Sequence, residues 1–318
     1  LSVLGNLCIR PRAKANGVHA GGFRHINNWT EFSCMKEVQS QTPKCNIFSM
    51  HYNQLTICEF RIATFLFSTS SDFVMKLTFP LIIVNCKAYE KGVGKNAVKL
   101  AKICAEVSKK TSICIALAVQ PSDIHAVSQA AKIPILAQHV DCNYSGAHTG
   151  SILPEAVKAA DAIGTLLNHS EKPLSANVLA KTIARCKTAK ILSVVCVQTI
   201  KEAKFAEKSG ADIIAIEDPK LIASNKSITE IHPALIISLV DSVPTTPVLC
   251  GAGIHTSQDA AHAIQLGTKG VLVANAVVNA KNPKKVLMRM ARNTQTVSHQ
   301  DESVIKLFEK IFKKQKRK

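Results

Sequence analysis

Between residues 81 and 274 the chain alternates two textures. Short, almost uninterrupted apolar runs occur at Leu81–Val84, Ile113–Val119, Ile133–Ala137, Ala162–Leu167, Ile191–Val197, Ile213–Ile216, Pro247–Cys250 and Gly270–Ala274. Each is followed by a stretch whose apolar positions recur every three or four residues. The first such stretch carries Ala97, Leu100, Ala101, Cys104 and Val107; the others cover Ser122–Ala130, Pro154–Ala160, Ser175–Cys186, Ile200–Ser209, Thr229–Val240, Ser257–Leu266 and Pro283–Arg292. A strand is continuously apolar, rather than alternating, when both its faces are covered, as in a parallel sheet flanked by helices. Eight β-then-α units in roughly 220 residues predict the α/β class and a closed (β/α)₈ barrel in a single domain. The competing arrangement, an open doubly wound sheet, calls for a Gly-x-Gly-x-x-Gly turn after its first strand. Gly92-Val93-Gly94-Lys95 lacks that spacing, and that of a Walker loop, and reads as a surface turn.

The flanks do not share this pattern. Residues 1–74 hold seven of the eleven Phe, the single Trp (Trp29) and four of the eleven Cys, with neither helical nor alternating periodicity. Their apolar stretch Ile62–Phe67 is too short and too late for a secretory signal. The expectation is an irregular, poorly ordered N-terminal extension, or an upstream segment outside a true start at Met75, then a barrel over 75–298. Residues 299–318 form a basic C-terminal tail. Within it, Val304, Ile305, Leu307, Phe308, Ile311 and Phe312 give a short amphipathic helix that ends in Lys313-Lys314-Gln315-Lys316-Arg317-Lys318, read as a solvated basic end.

Composition narrows the function class. With 47% hydrophobic and 19% charged residues the chain is globular in character. No run of 18 or more apolar residues occurs, so no helix is predicted to span a membrane. The 11 cysteines include no Cys-x-x-Cys pair and are scattered, which argues against a disulfide framework or a zinc site and for free thiols in a reducing cytosol. The net charge of +18 invites a nucleic-acid reading. That reading needs basic residues clustered with aromatics. Here the charge divides into +3 over residues 1–74, +4 over 299–318 and +11 spread over the barrel, whose stretch contains no Trp.

Barrel chemistry is carried at the C-terminal ends of the strands. Those ends read Asn85-Cys86-Lys87, Gln138-His139-Val140-Asp141, Asn168-His169-Ser170-Glu171, Glu217-Asp218-Pro219, Gly251-Ala252-Gly253 and Asn275. A Lys, a His and a Glu on three strands converging on one mouth make a proton-transfer set: Glu217 as base, His169 to polarise a carbonyl, Lys87 to hold negative charge. Glu217 stands out because a carboxylate that closes the apolar strand Ile213-Ile214-Ala215-Ile216 needs a reason to be there. Gly251-Ala252-Gly253 lets backbone N–H groups approach an anion, and phosphate sites after the seventh and eighth strands recur in this architecture.

These motifs resemble triosephosphate isomerase, in its shorter archaeal-type branch. The resemblance rests on Asn85-x-Lys87, Gly164 to Glu171 (Gly-Thr-Leu-Leu-Asn-His-Ser-Glu) and Glu217-x-Pro219-x-Leu221-Ile222. Ala137 to Asp141, Gly146 to Glu155 and Leu249 to Ile254 fit that branch as well, and the whole covers about residues 80–290. It implies a TIM barrel that interconverts dihydroxyacetone phosphate and D-glyceraldehyde 3-phosphate in glycolysis and gluconeogenesis, with no metal and no organic cofactor. Carried onto matching positions, His169, Glu217 and Lys87 would be catalytic. Asn85, Lys87, Ile222, Gly253, Ala274 and Asn275 would contact substrate, and Glu171 would support them. A neutral His169 needs its pKa lowered, a task assigned to the start of the following helix. The resemblance further implies a cytoplasmic homodimer or homotetramer, with Cys142–Ser151 as a contact loop and no nucleic-acid or membrane partner.

Three departures bear on the phosphate grip. Ala223-Ser224-Asn225 stands where the family's lid carries Gly-Thr-Gly. Ala274-Asn275-Ala276 stands for Ala-Ser-Gly, and Asp218 and Lys220 replace Pro and Glu. Loss of glycine removes cheap access to positive φ and close backbone approach. Either the isomerase works with an altered grip, or the barrel has turned to another phosphorylated metabolite.

Overall fold

A computed structural model of the protein describes residues 77–221 and 226–297. The expectations for residues 1–74 and for the tail lie outside the described residues, as do Ile222, Ala223, Ser224 and Asn225. Eight parallel strands close into a barrel in sequential order: β1 (Leu81–Asn85), β2 (Cys114–Val119), β3 (Ile135–Ala137), β4 (Gly164–Leu167), β5 (Leu192–Val197), β6 (Ile213–Ile216), β7 (Val248–Cys250) and β8 (Gly270–Val273). The helices are α1 (Lys95–Thr111), α2 (Ile124–Ala130), α3 (Pro154–Ala159), α4 (Ala176–Ala189), α5 (Ile200–Lys208), α6 (Ile228–Ile231), α7 (Pro233–Ser242), α8 (Ser257–Gln265) and the short α9 (Asn275–Val278). Residues 283–297 are helical as well. All eight apolar runs contain a strand, so the (β/α)₈ expectation holds.

The continuous apolar runs serve two cores. On β1, Leu81 and Ile83 join Ala116, Leu136, Leu166, Val194, Ile213, Leu249 and others inside the barrel. Ile82 and Val84 face outward into a second layer with helix residues such as Leu100, Cys104, Ile183 and Leu239. Period-two alternation is present, but both destinations are apolar, which is why it is invisible in the sequence. Five of the described cysteines, Cys86, Cys104, Cys186, Cys196 and Cys250, are buried as free thiols, matching their reading as small hydrophobes.

Local sequence sets the helix ends. Ser175 and Thr199 cap α4 and α5 through their side chains. Thr256 and Asp259 form a reciprocal capping box on α8. The stretch Thr229–Val240, expected as one helix, breaks at His232 (φ −132°, ψ 48°) because Pro233 lacks an N–H and starts α7 afresh. Gly92 is no surface turn: it is buried, and a Cβ there would come within 2.6 Å of the Cys86 carbonyl oxygen. The long connection after β3 is pinned at its base, where the Asp141 carboxylate accepts the Ile152 N–H at 2.7 Å. Above it Arg185 grips Glu155 at 2.7 and 2.8 Å and lies 4.0 Å from the Tyr144 ring.

Closure depends on Gly270. The seam pairs Leu81 with Gly270 through to Val84 with Val273. Gly270 adopts φ 155°, and a Cβ on it would collide with the Leu81 carbonyl. Gly270→Ala is therefore expected to cost about 3 kcal/mol or more, since a backbone clash in a packed barrel has nowhere to relax. Urea denaturation of the variant and the parent measures it.

Candidate active site

Alternation decides which side chains reach the mouth. Continuing the inward-facing parity of β6 from Ile213 and Ala215 brings Glu217 over the barrel interior, and that of β1 from Leu81 and Ile83 brings Asn85 there. Both are buried, Glu217 to 3% exposure and Asn85 to 5%. Beyond these positions the chain leaves strand geometry. Lys87 takes a left-handed backbone (φ 47°), which is costly for a residue with a Cβ and needs support from outside. That support comes from two amide side chains: Asn85 Oδ1 accepts the Lys87 N–H at 2.9 Å, and Gln138 Nε2 donates to its carbonyl at 2.9 Å. Asn168 turns the end of β4 in the same way (φ 56°). Its Oδ1 accepts the Leu174 N–H and its Nδ2 donates to the Cys196 carbonyl, each at 2.9 Å.

The turn after Asn168 fixes the protonation of His169. Its Nδ1 accepts the backbone N–H of Glu171 at 3.1 Å. A ring nitrogen that accepts carries no proton, so the neutral imidazole holds its hydrogen on Nε2. Nε2 lies 3.4 Å from Glu217 Oε1. Burial pushes the His169 pKa down and Lys87 pushes it further, against the opposing pull of Glu171. The expected agent, the start of the following helix, is not the cause: α4 begins only at Ala176.

Glu217 is displaced the other way. Burial raises its carboxyl to about 7, against the lowering influence of Lys87, the Cys196 thiol and the Ser170 backbone N–H, while Glu171 adds to the rise. Its Oε2 is buried without a hydrogen-bond partner. Gly251, at the end of β7, makes room for it: a Cβ there would press to 3.0 Å from Glu217 Cγ. Lys87 Nζ is held by Glu171 Oε1 at 2.7 Å, and the Glu171 side chain is 57% exposed, at the rim.

These side chains surround a cavity of about 530 Å³, measured with its open mouth. Asn85, Lys87, His169, Glu217, Gly253, Ala274 and Asn275, all expected from the sequence, line it together. Glu171 approaches through Lys87, and Ile222 lies outside the described residues. Gly253 holds φ 64° with its α-carbon so close to the Lys226 carbonyl that a Cβ would collide. Asn275 Oδ1 accepts from Asn279 Nδ2 at 2.9 Å. Two lining residues escaped the sequence reading, Tyr89 and His255. Both lie in loops two residues past a motif position, where no periodicity marks a direction. Among the described residues no His, Cys, Asp and Glu cluster is arranged to hold a metal. The cavity thus combines a buried carboxylate titrating near neutrality, a neutral imidazole N–H donor facing it, and an ammonium beside both.

The model of the triosephosphate isomerase family matches residues 80–293. The triosephosphate isomerase of Methanothermobacter thermautotrophicus is 41% identical over 213 residues, covering 66% of this chain and 93% of that protein. That of Methanothermus fervidus is 39% identical over 212 residues, covering 65% and 96%. That of Pyrobaculum islandicum is 37% identical over 220 residues, covering 68% and 96%. With eight strands closed in order, the polar set gathered at their C-terminal ends and two thirds of its length matched, the chain belongs to the triosephosphate isomerase family.

Proposed function

We infer that the chain interconverts dihydroxyacetone phosphate and D-glyceraldehyde 3-phosphate, the aldose–ketose isomerisation of glycolysis and gluconeogenesis. The observation that carries this is the pairing of Glu217, raised to about 7, with a neutral His169 whose Nε2 is 3.4 Å away. A base near neutrality holds enough anion to remove a carbon-bound proton, yet returns it readily. In this reading the Glu217 carboxylate takes the proton from the carbon beside the carbonyl. The C–H electron pair forms the carbon–carbon double bond and the carbonyl electrons move onto oxygen. His169 stabilises that oxygen by donating from Nε2, and Lys87 offsets the charge of the enediolate and phosphate. The proton of the hydroxyl on the deprotonated carbon then passes to that oxygen, and Glu217 delivers its own proton to the former carbonyl carbon as the new carbonyl forms on its neighbour. No atom is gained or lost and no electron leaves the substrate.

Asn85, Gly253, Ala274 and Asn275 are assigned to substrate contact, and Ile222 with them on the strength of the motif. Glu171 steadies Lys87 and His169. The catalytic unit is assigned to residues 75–298, and limited proteolysis that leaves a core containing residues 1–74 would count against that boundary. A homodimer or homotetramer using Cys142–Ser151 is supported by the exposure of that loop, with Tyr144 66% exposed over the buried Arg185. Light scattering after size exclusion measures the assembly. We place the enzyme in the cytoplasm on its buried free thiols; among the described residues no helix is long and apolar enough to cross a membrane.

A coupled spectrophotometric assay with glyceraldehyde 3-phosphate tests the function. Turnover to dihydroxyacetone phosphate is the expected result. Its absence at millimolar substrate would overturn the reading.

A further inference from the structure

Among the described residues, three buried side-chain nitrogen or oxygen atoms have no hydrogen-bond partner: Arg185 Nη1, Glu217 Oε2 and His255 Nε2. Two of the three belong to residues lining the cavity. Interiors rarely leave such atoms unpaired, and each exception asks for a role. Glu217 has one in proton transfer. His255 does not.

His255 sits between β7 and α8, two residues after Gly253. Its backbone is firmly held: its N–H donates to Asp259 Oδ2 at 2.9 Å, and the same oxygen accepts the Thr256 N–H at 2.8 Å in the cap of α8. The backbone is thus fixed, while ring Nε2 is buried without a partner. Two other nitrogen-bearing side chains of the wall already have partners: Lys87 Nζ is bound to Glu171, and His169 accepts from Glu171 and faces Glu217. A phosphate entering here needs donors. The chain also carries Ala276 where its family presents glycine, and a Cβ there narrows the approach of backbone to a ligand.

We propose that His255 grips the phosphate of the triose phosphate, donating from Nε2 to a phosphate oxygen and replacing with a side chain part of the backbone contact given up elsewhere. This deepens the isomerase reading and rests on it. The phosphate is unchanged in the reaction, so His255 holds substrate and transition state alike. Such a contact sets KM rather than kcat.

The test compares the parent enzyme with His255→Ala and His255→Gln, using glyceraldehyde 3-phosphate as substrate and inorganic phosphate as competitive inhibitor. For His255→Ala, KM and the phosphate inhibition constant are expected to rise about tenfold together, with kcat falling by less than about twofold. His255→Gln, which keeps a donor, should recover part of both. Unchanged KM and phosphate inhibition would overturn the proposal, as would a fall in kcat at constant KM. On the unsubstituted protein, nitrogen NMR should show the His255 Nε2 resonance move as inorganic phosphate saturates the site. A resonance that stays put would overturn the proposal even if a variant failed to fold. An unsubstituted enzyme without turnover would instead sink the isomerase reading, which separates the two failures.

Discussion

Glu217→Gln is expected to lower kcat by about 10²- to 10⁴-fold, the usual contribution of a positioned general base, without loss of fold. Gln keeps the shape of the side chain beside Gly251 and removes only the group that takes the proton. Stability should move in the opposite direction to activity. Burial raises the Glu217 carboxyl from 4.5 to about 7. Between those values the folded protein keeps a proton that the unfolded chain releases, so stability falls as pH rises through that window. Above pH 7 the accumulated loss is on the order of 3 kcal/mol, and Gln, neutral throughout, is free of it. Urea unfolding at pH 5 and pH 8 should show the variant gaining on the parent as pH rises. Parent-like turnover in Glu217→Gln would refute the role of base.

Lys87→Met is expected to lower kcat/KM by about 10³-fold, because it removes a charge-assisted contact to a doubly negative substrate in a shielded site. A second consequence separates this from simple weakened binding. Lys87 is the foremost influence holding the Glu217 carboxyl down against burial. In the parent, kcat/KM should fall as pH drops below about 7, following protonation of Glu217. In the variant that acid limb should move to higher pH. A pH profile of kcat/KM for both proteins measures the shift. A limb that stays in place while activity drops would leave Lys87 a substrate contact only.

Much of this site was legible before any coordinate, and the reasons are physical. Glu217 announced itself because a carboxylate ending a buried strand is costly without a purpose. Lys87 and His169 were found because function in a barrel collects at known strand ends. The cause of the His169 shift was not legible. It depends on the depth of burial and on the Lys87 ammonium brought close from another strand end, neither of which leaves a pattern in sequence. His255 was silent for a similar reason: it follows Gly253 into a loop, and only its place in the cavity lining and its buried, unpaired Nε2 give it away. The break at His232-Pro233 was readable and was overridden by the apolar spacing on both sides of it. The inner and outer faces of the strands could not be told apart, because the two cores are equally apolar.

That two-sided burial bears on how the protein tolerates change. Ile213, Ala215 and Glu217 form one column, with packing at the bottom and chemistry at the top. A single residue inserted or deleted within β6 would reverse the column and turn Glu217 toward the helices, with Ile216 or Asp218 over the mouth. The buried layers would object little, since both accept apolar side chains. The chemistry would be lost outright. Strand length in this barrel is thus held by the reaction more tightly than by the fold, whereas the connections that lead from each helix into the next strand, at the end away from the cavity, are free of that constraint.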